Sequence, residues 1–195
     1  MKGRLADRAE TIEMVCEVLG NEDRRKAGEL VRSRYPFDPP VDARRSFSKL
    51  DRTRVFVRDG FLDRYSGDRL FFPPVLEVIS MSIPEDFPTH PNGKFSECHA
   101  AHWELYSSVD HLVPVARGGA HEMGNWFTTS MMRNLIKSHW RLEDLGWDLL
   151  PPGQFEEWDG MLGWFLEYTE ERPDLLDIGG IRDWHRAAIR ATRET

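Results

Sequence analysis

Apolar residues recur at helical spacing toward both ends of this chain and at strand spacing in its middle. Between Asp7 and Leu19, the residues Ile12, Val15, Cys16 and Leu19 fall on one helical face, and Gly20 supplies a stop. The pattern puts Cys16 on the buried stripe. A second helix is predicted over about 22–34, and Pro36, Pro39 and Pro40 then impose a connector near residues 35–42. The run Arg54-Val55-Phe56-Val57-Arg58 alternates and leads into Asp59-Gly60, which predicts a strand entering a turn.

The apolar run from Phe71 to Met81 contains Pro73-Pro74 and predicts a helix over about 74–81, followed by a long ordered loop rich in proline. Beyond it, residues 107–113 read as a strand, Arg117-Gly118-Gly119 as a turn and Trp126-Phe127 as a short second strand. Thr129 or Ser130 can then cap a helix running to about residue 139. The middle of the chain is thus expected to be a β-hairpin followed by a helix. Gly146, Pro151 and Pro152 mark loops, and residues 154–169 and about 180–193 read as amphipathic helices, with Trp158, Leu162, Phe165 and Tyr168 forming the stripe of the first. Six of the seven tryptophans follow residue 120, which assigns the aromatic packing to the hairpin and the helices after it.

With 195 residues and 40% apolar content, the chain can bury the core of one compact unit. No run of eighteen apolar residues and no charged-then-apolar leader is present, so a cytoplasmic protein without a membrane partner is expected. Cys16 and Cys98 form neither a disulfide framework nor a metal-binding pair. A formal charge of −7 runs against a nucleic-acid partner, because phosphate binding rests on Lys and Arg. Its distribution softens the objection: residues 1–55 carry 13 basic against 10 acidic groups, whereas residues 140–195 carry 6 against 13. Arg44, Arg45, Lys49, Arg52, Arg54 and Arg58 are candidates for a local basic surface.

The candidate chemistry lies in Val109-Asp110-His111-Leu112-Val113-Pro114, with Gly118-Gly119, Asn125, Asn134 and Lys137 after it. Hydrolysis of a phosphodiester needs a water deprotonated near neutral pH and a cation to stabilise charge on the phosphoryl and leaving oxygens. His111 is the candidate general base, its ordinary pKa of ~6.5 leaving a neutral fraction at cellular pH. Asp110 and Asn134 offer hard oxygen ligands suited to Mg²⁺ or Mn²⁺, brought together if the helix folds back on the first strand. Lys137 shares a helix face with Asn134 and is either a phosphate contact or a solvated lysine. Arg117 and Arg133 are further candidates for nucleic-acid contact. His99, His102 and His121 read as structural, and His139 points away from Asn134.

On these residues, positions 107–138 resemble the HNH endonuclease motif, the ββα-metal fold, and positions 54–138 resemble it more loosely. The resemblance implies an α+β chain: an N-terminal helical region over 1–50, an HNH core (β-hairpin plus helix) over 51–142 and a C-terminal helical region over 143–195. It implies Asp110 and Asn134 as metal ligands, His111 as the general base and Asn125 as the residue that braces the hairpin and orients the histidine. Many members carry two CxxC pairs that bind a structural zinc. The corresponding positions here are Asp63 and Ser66, and Ser130 and Arg133, so no structural zinc is expected, and packing of the flanking helices is expected to supply that stability. The implied activity is metal-dependent hydrolysis of DNA to 5′-phosphate and 3′-hydroxyl ends, in defence, restriction or DNA processing, with RNA left open as a substrate and a homodimer or regulatory protein as a partner. The alternatives are a toxin-like nuclease regulated by a partner and a non-catalytic nucleic-acid-binding domain that keeps the fold.

Overall fold

The computed structural model describes residues 2–37, 39 and 46–194; Arg44, Arg45 and residues 38 and 40–42 of the expected connector lie outside the described residues. Helices α1 (Lys2–Gly20) and α2 (Arg24–Arg34) pack on each other as a helical hairpin, with Asp23 capping α2 by accepting a bond from the Lys26 amide. Cys16 is exposed, contrary to expectation, and Ile12 and Leu19 on the same stripe are 46% and 47% exposed. The reason is the partner: α2 is short and heavily charged, and Ala27 is the one side chain it buries among those described, so the stripe is only half covered.

The expected strand at 54–58 is instead the end of helix α3 (Lys49–Arg58). Ser48 caps it by accepting the Asp51 amide at 3.0 Å, and Thr53, Phe56 and Val57 recur at helical spacing. With Val55 also buried, α3 is covered on several sides, by the C-terminal helix and by the ribbon described below, which gives the run its false alternation. Helix α4 (Pro73–Ser82) matches the expected 74–81, with its prolines in the first turn, where no amide donor is needed. Within the loop that follows, Phe87 stacks on His99 at 4.3 Å between ring centres, and α5 (Ala101–Glu104) is a single turn.

Strands β1 (Ser107–His111) and β2 (Trp126–Ser130) form an antiparallel ribbon in which Ser107 faces Ser130 and His111 faces Trp126. Ser130 caps α6 (Met131–Lys137), accepting the Arg133 amide at 3.2 Å, and the helix ends two residues before the expected limit at Ser138, whose φ is +47°. After α7 (Leu142–Leu145) the chain stays irregular to α8 (Leu162–Glu171), eight residues later than the start expected at 154. Asp159 explains the late start: its carboxylate accepts the amides of Met161 and Gly163, and Gly160 lies flat against the Phe61 ring where a Cβ would collide. Helix α9 (Gly179–Thr192) closes the fold against α3. Val55, Phe56, Phe72, Phe165, Ile181 and Trp184 share one core, in which Phe72 meets Phe165 and Trp184 edge-on at 5.5 and 5.4 Å. Among the described residues no helix is long and apolar enough to cross a membrane.

Asp63, Ser66, Ser130 and Arg133, the four positions where cysteine pairs are lacking, come together as a polar knot. Asp63, 1% exposed, accepts the Ser130 amide at 2.8 Å, the Thr129 hydroxyl at 3.1 Å and the Tyr65 amide at 2.9 Å, and lies 3.5 Å from the Arg133 guanidinium. Ser66 donates to Asp68, which lies 3.5 Å from Arg133. A second buried carboxylate, Asp59, accepts the Thr128 amide at 2.8 Å and pairs with Arg64 at 2.7 Å and Arg58 at 2.9 Å. Stability at this corner therefore comes from buried charge as well as from the apolar packing expected. Asp63→Ala should orphan several buried donors and lower the unfolding free energy by about 3 kcal/mol or more, since each orphaned group costs about 1–3 kcal/mol. Urea unfolding followed by circular dichroism measures this, and a loss under 1 kcal/mol would mean the knot is peripheral.

Candidate active site

In a strand, successive side chains leave opposite faces. Ser107, Val109 and His111 leave one face of the ribbon, toward α3 and the core, where Val109 is buried and the Thr128 hydroxyl donates to the Val55 carbonyl at 3.2 Å. Ser108 and Asp110 leave the other, toward α6. Adjacency in sequence thus sets the Asp110 carboxylate and the His111 imidazole on opposite faces of β1, near its end, rather than side by side.

On the α6 face the helix folds back on β1 as anticipated. The Asn134 amide nitrogen donates to the Ser108 hydroxyl at 2.8 Å and to the Val109 carbonyl at 3.2 Å. The Val109 carbonyl can only accept, so the amide nitrogen lies there and the oxygen is the end that could ligate a cation. Asp110 is 5% exposed; its Oδ2 accepts the Tyr65 hydroxyl at 2.7 Å and pairs with the Lys137 ammonium at 2.8 Å. Lys137 is fully buried and also donates to the His111 carbonyl at 2.7 Å. It is not a solvated lysine: its buried ammonium meets Asp110 and the His111 carbonyl and ties α6 to β1, which turns it away from a phosphate at the surface. Burial, and then the Asp110 carboxylate, push the Tyr65 phenol well above its usual range, so it stays a donor throughout the working pH range.

On the opposite face His111 is 1% exposed and packs against Phe47 at 5.3 Å and Trp126 at 6.4 Å between ring centres. Its Nε2 is 2.9 Å from His121 Nδ1, and His121 Nε2 is 3.2 Å from the Ser46 carbonyl. If His121 donates to that carbonyl through Nε2, its Nδ1 is an acceptor and the proton between the rings belongs to His111. His121 is exposed, so it stands between the buried ring and solvent. Asn125 clamps the loop between the strands: it accepts the Val113 amide at 2.9 Å and donates to the carbonyls of Val113 at 2.9 Å and Ala120 at 2.8 Å. Gly119 fits under this clamp because any Cβ there would run into the Val113 carbonyl.

Tyr65 and His121 are site residues that the sequence reading missed or set aside. Tyr65 lies 45 positions from its partner and carries no local signal. His121 has one, its place in the loop that Asn125 closes, and the expectation of a purely structural role for it gives way to its contact with His111. Arg133 is held by Asp63 and Asp68, and Arg117 ends the turn of residues 115–117 just beyond β1. His102 bonds to Ser80 at 2.9 Å, and burial lowers its pKa, in keeping with a structural role. Of the expected basic surface, Lys49 donates to the Gly180 carbonyl, Arg54 pairs with Glu194, Arg58 is bonded to Asp59 and to the Met123 and Trp126 carbonyls, and Arg52 lies over the Phe47 ring. These groups serve the fold.

Among the described residues no group of three or more His, Cys, Asp or Glu side chains could hold a metal ion. Two oxygen donors, Asp110 and Asn134, are what the α6 face offers. That fits a cation such as Mg²⁺, which takes one or two protein oxygens and keeps several waters, better than one that needs a full protein cage. No family model, no curated protein and no solved structure matches this chain.

The buried pair Asp110–Lys137 makes a direct prediction. Lys137→Met should destabilise the protein by about 3–5 kcal/mol, because it leaves a carboxylate buried without its charge partner. Adding Asp110→Asn should recover part of that loss, giving a coupling of about 1 kcal/mol or more in a double-mutant cycle of urea unfolding. Strictly additive losses would show that the pair does not join α6 to β1.

Proposed function

We propose that this protein is a divalent-metal-dependent nuclease of the HNH type that hydrolyses DNA phosphodiesters. The observation that carries the reading is the return of α6 onto β1, which bonds Asn134 to Ser108 and Val109, next to Asp110, in a strand–loop–strand–helix unit clamped by Asn125. Asp110 and Asn134 are the residues that would hold the ion. When bound, it would supply Lewis-acid stabilisation of charge on the phosphate and on the leaving oxygen.

The chain's own groups do the rest. His111 would take the proton from the attacking water at Nε2 only after the proton already there has passed to His121 Nδ1, which releases its own Nε2 proton to solvent. Lys137 and Tyr65 orient the Asp110 carboxylate by donating to one of its oxygens. Because Asp110 and His111 leave opposite faces, the scissile phosphate lies across the end of β1, beside the loop that Asn125 clamps. The products are a 5′-phosphate and a 3′-hydroxyl.

The burial of His111 and the neutralisation of Asp110 by Lys137 favour a second reading, a nucleic-acid-binding domain that keeps the fold without cleavage. A supercoiled-plasmid assay with Mg²⁺, Mn²⁺ or EDTA separates the two. Under the nuclease reading His111→Ala loses about 10²-fold or more of the metal-dependent cleavage while remaining folded by circular dichroism, because it removes proton abstraction along with the ring's packing on Phe47 and Trp126. Cleavage within a few-fold of wild type would reject His111 as the base, and no cleavage by the wild-type protein with any divalent ion would select the binding domain.

A further inference from the structure

Ala9, Ile12, Cys16 and Leu19 of α1 are all exposed and follow one another at spacings of three, four and three residues. That is the spacing of a coiled-coil seam, in which apolar residues recur every ~3.5 positions along one side of a helix. The side already covered within the chain is a different one: Thr11 is buried, and Val15 and Val18 are half-buried. At about 100° per residue, the covered residues, the seam and the glutamates Glu10, Glu13 and Glu17 each take about a third of the helix circumference. One edge of the seam therefore adjoins the covered side, and the other edge is acidic.

The two helices of the hairpin carry opposite charge. From residue 9 to residue 20, α1 has those three glutamates and no basic residue, whereas α2 has five basic residues and one acid. Arg25 pairs with Glu29 at 3.1 Å, and Arg34 turns to the Met14 sulfur. Glu10, Glu13, Glu17, Arg24, Lys26 and Arg32 are exposed and form no ion pair among the described residues. Counted from the turn between the helices, Lys26 is about level with Glu17 and Arg32 with Glu13. Two copies related by a two-fold axis parallel to α1 satisfy both features at once: seam meets seam, and the half-turn brings the basic helix of each copy to the acidic edge of the other. An antiparallel pairing would set the two acidic edges against each other, at a cost.

We propose, independently of the nuclease reading, that the α1–α2 hairpin is a self-association surface whose partner is a second copy of this chain, docked with its α1 parallel to the first. Two hairpins of this size fall at the low end of the ~1,200–2,000 Å² of specific interfaces, so the expected dissociation constant is on the order of 10–100 µM. Sedimentation equilibrium of the whole chain over about 5–500 µM should accordingly show a monomer–dimer equilibrium. In a Cys98→Ser background, diamide, which takes two electrons and two protons from a pair of thiols, should then join Cys16 to Cys16 of the second copy. Equal positions meet in a parallel pair, whereas an antiparallel pair sets Cys16 against Ile12 or Leu19. Ile12→Lys/Leu19→Lys, changed at two exposed positions, should weaken association about tenfold or more and abolish the crosslink. Glu13→Lys/Glu17→Lys should weaken association too, and adding Lys26→Glu/Arg32→Glu should restore it, which no merely misfolded variant would do. A chain that stays monomeric up to about 500 µM, a dimer that forms no Cys16 disulfide, or a dimer unaffected by the seam substitutions would overturn the proposal.

Discussion

A two-stranded ribbon is marginal in water, and β1 and β2 have no third strand among the described residues to complete a sheet. What holds them is buried charge. Asp59 and Asp63 reach from the turn after α3 to the amides of Thr128 and Ser130 along β2, while Lys137 reaches from α6 to Asp110 and the His111 carbonyl on β1. Each carboxylate has a cationic partner, and the bonds to Thr128, Ser130 and His111 end on backbone that would otherwise need a ladder partner. Charges so buried tolerate little displacement, so the hairpin and helix are fixed relative to each other by the network that also sets the candidate site.

That dependence explains why so few lysines and arginines near the ribbon remain for a partner. Arg58 and Arg64 lie over the Phe127 ring while bonding Asp59, and Arg133 spans Asp63 and Asp68 near the Trp147 ring. A sequence-level view of basic clusters counts these groups as surface, yet geometry spends them on the interior. The consequence is that cations of the middle segment such as Arg58, Arg64, Arg133 and Lys137 hold the ribbon.

Much of the site's framework was legible beforehand because its signals are local. The hairpin, the glycine turn, the cap of α6 and α4 with its prolines all follow from residues within a few positions of one another. The strand expected at 54–58 is a helix because burial on several sides mimics period-two alternation over five residues, and the Ser48 cap lies six positions before them. The expected burial of Cys16 failed because a stripe of apolar residues says nothing of whether its partner is large enough to cover it. Lys137 and Tyr65 were illegible for another reason: a buried ion pair joins positions 27 apart, and the phenol comes in from 45 positions away. The opposed faces of Asp110 and His111 were legible in principle, since strand periodicity follows once residues 107–111 are assigned to β1.

Lys137 also bears on what the candidate site can do. With its ammonium 2.8 Å from one carboxylate oxygen, Asp110 already has a full positive charge at contact distance. At an effective dielectric of about 20 such a contact is worth several kcal/mol, and a second cation on the same carboxylate meets repulsion from the first. A divalent ion held by Asp110 and the neutral Asn134 would leave the centre with a net charge of about +2. Under the nuclease reading the substrate offsets part of that excess, since a phosphodiester brings one negative charge to the same place and lowers the net to about +1. Binding of ion and of nucleic acid would then be mutually reinforcing, each lowering the cost of the other. Lys137 would accordingly set a threshold: it stabilises the folded carboxylate in the absence of substrate and makes a tightly held ion depend on the phosphate's arrival.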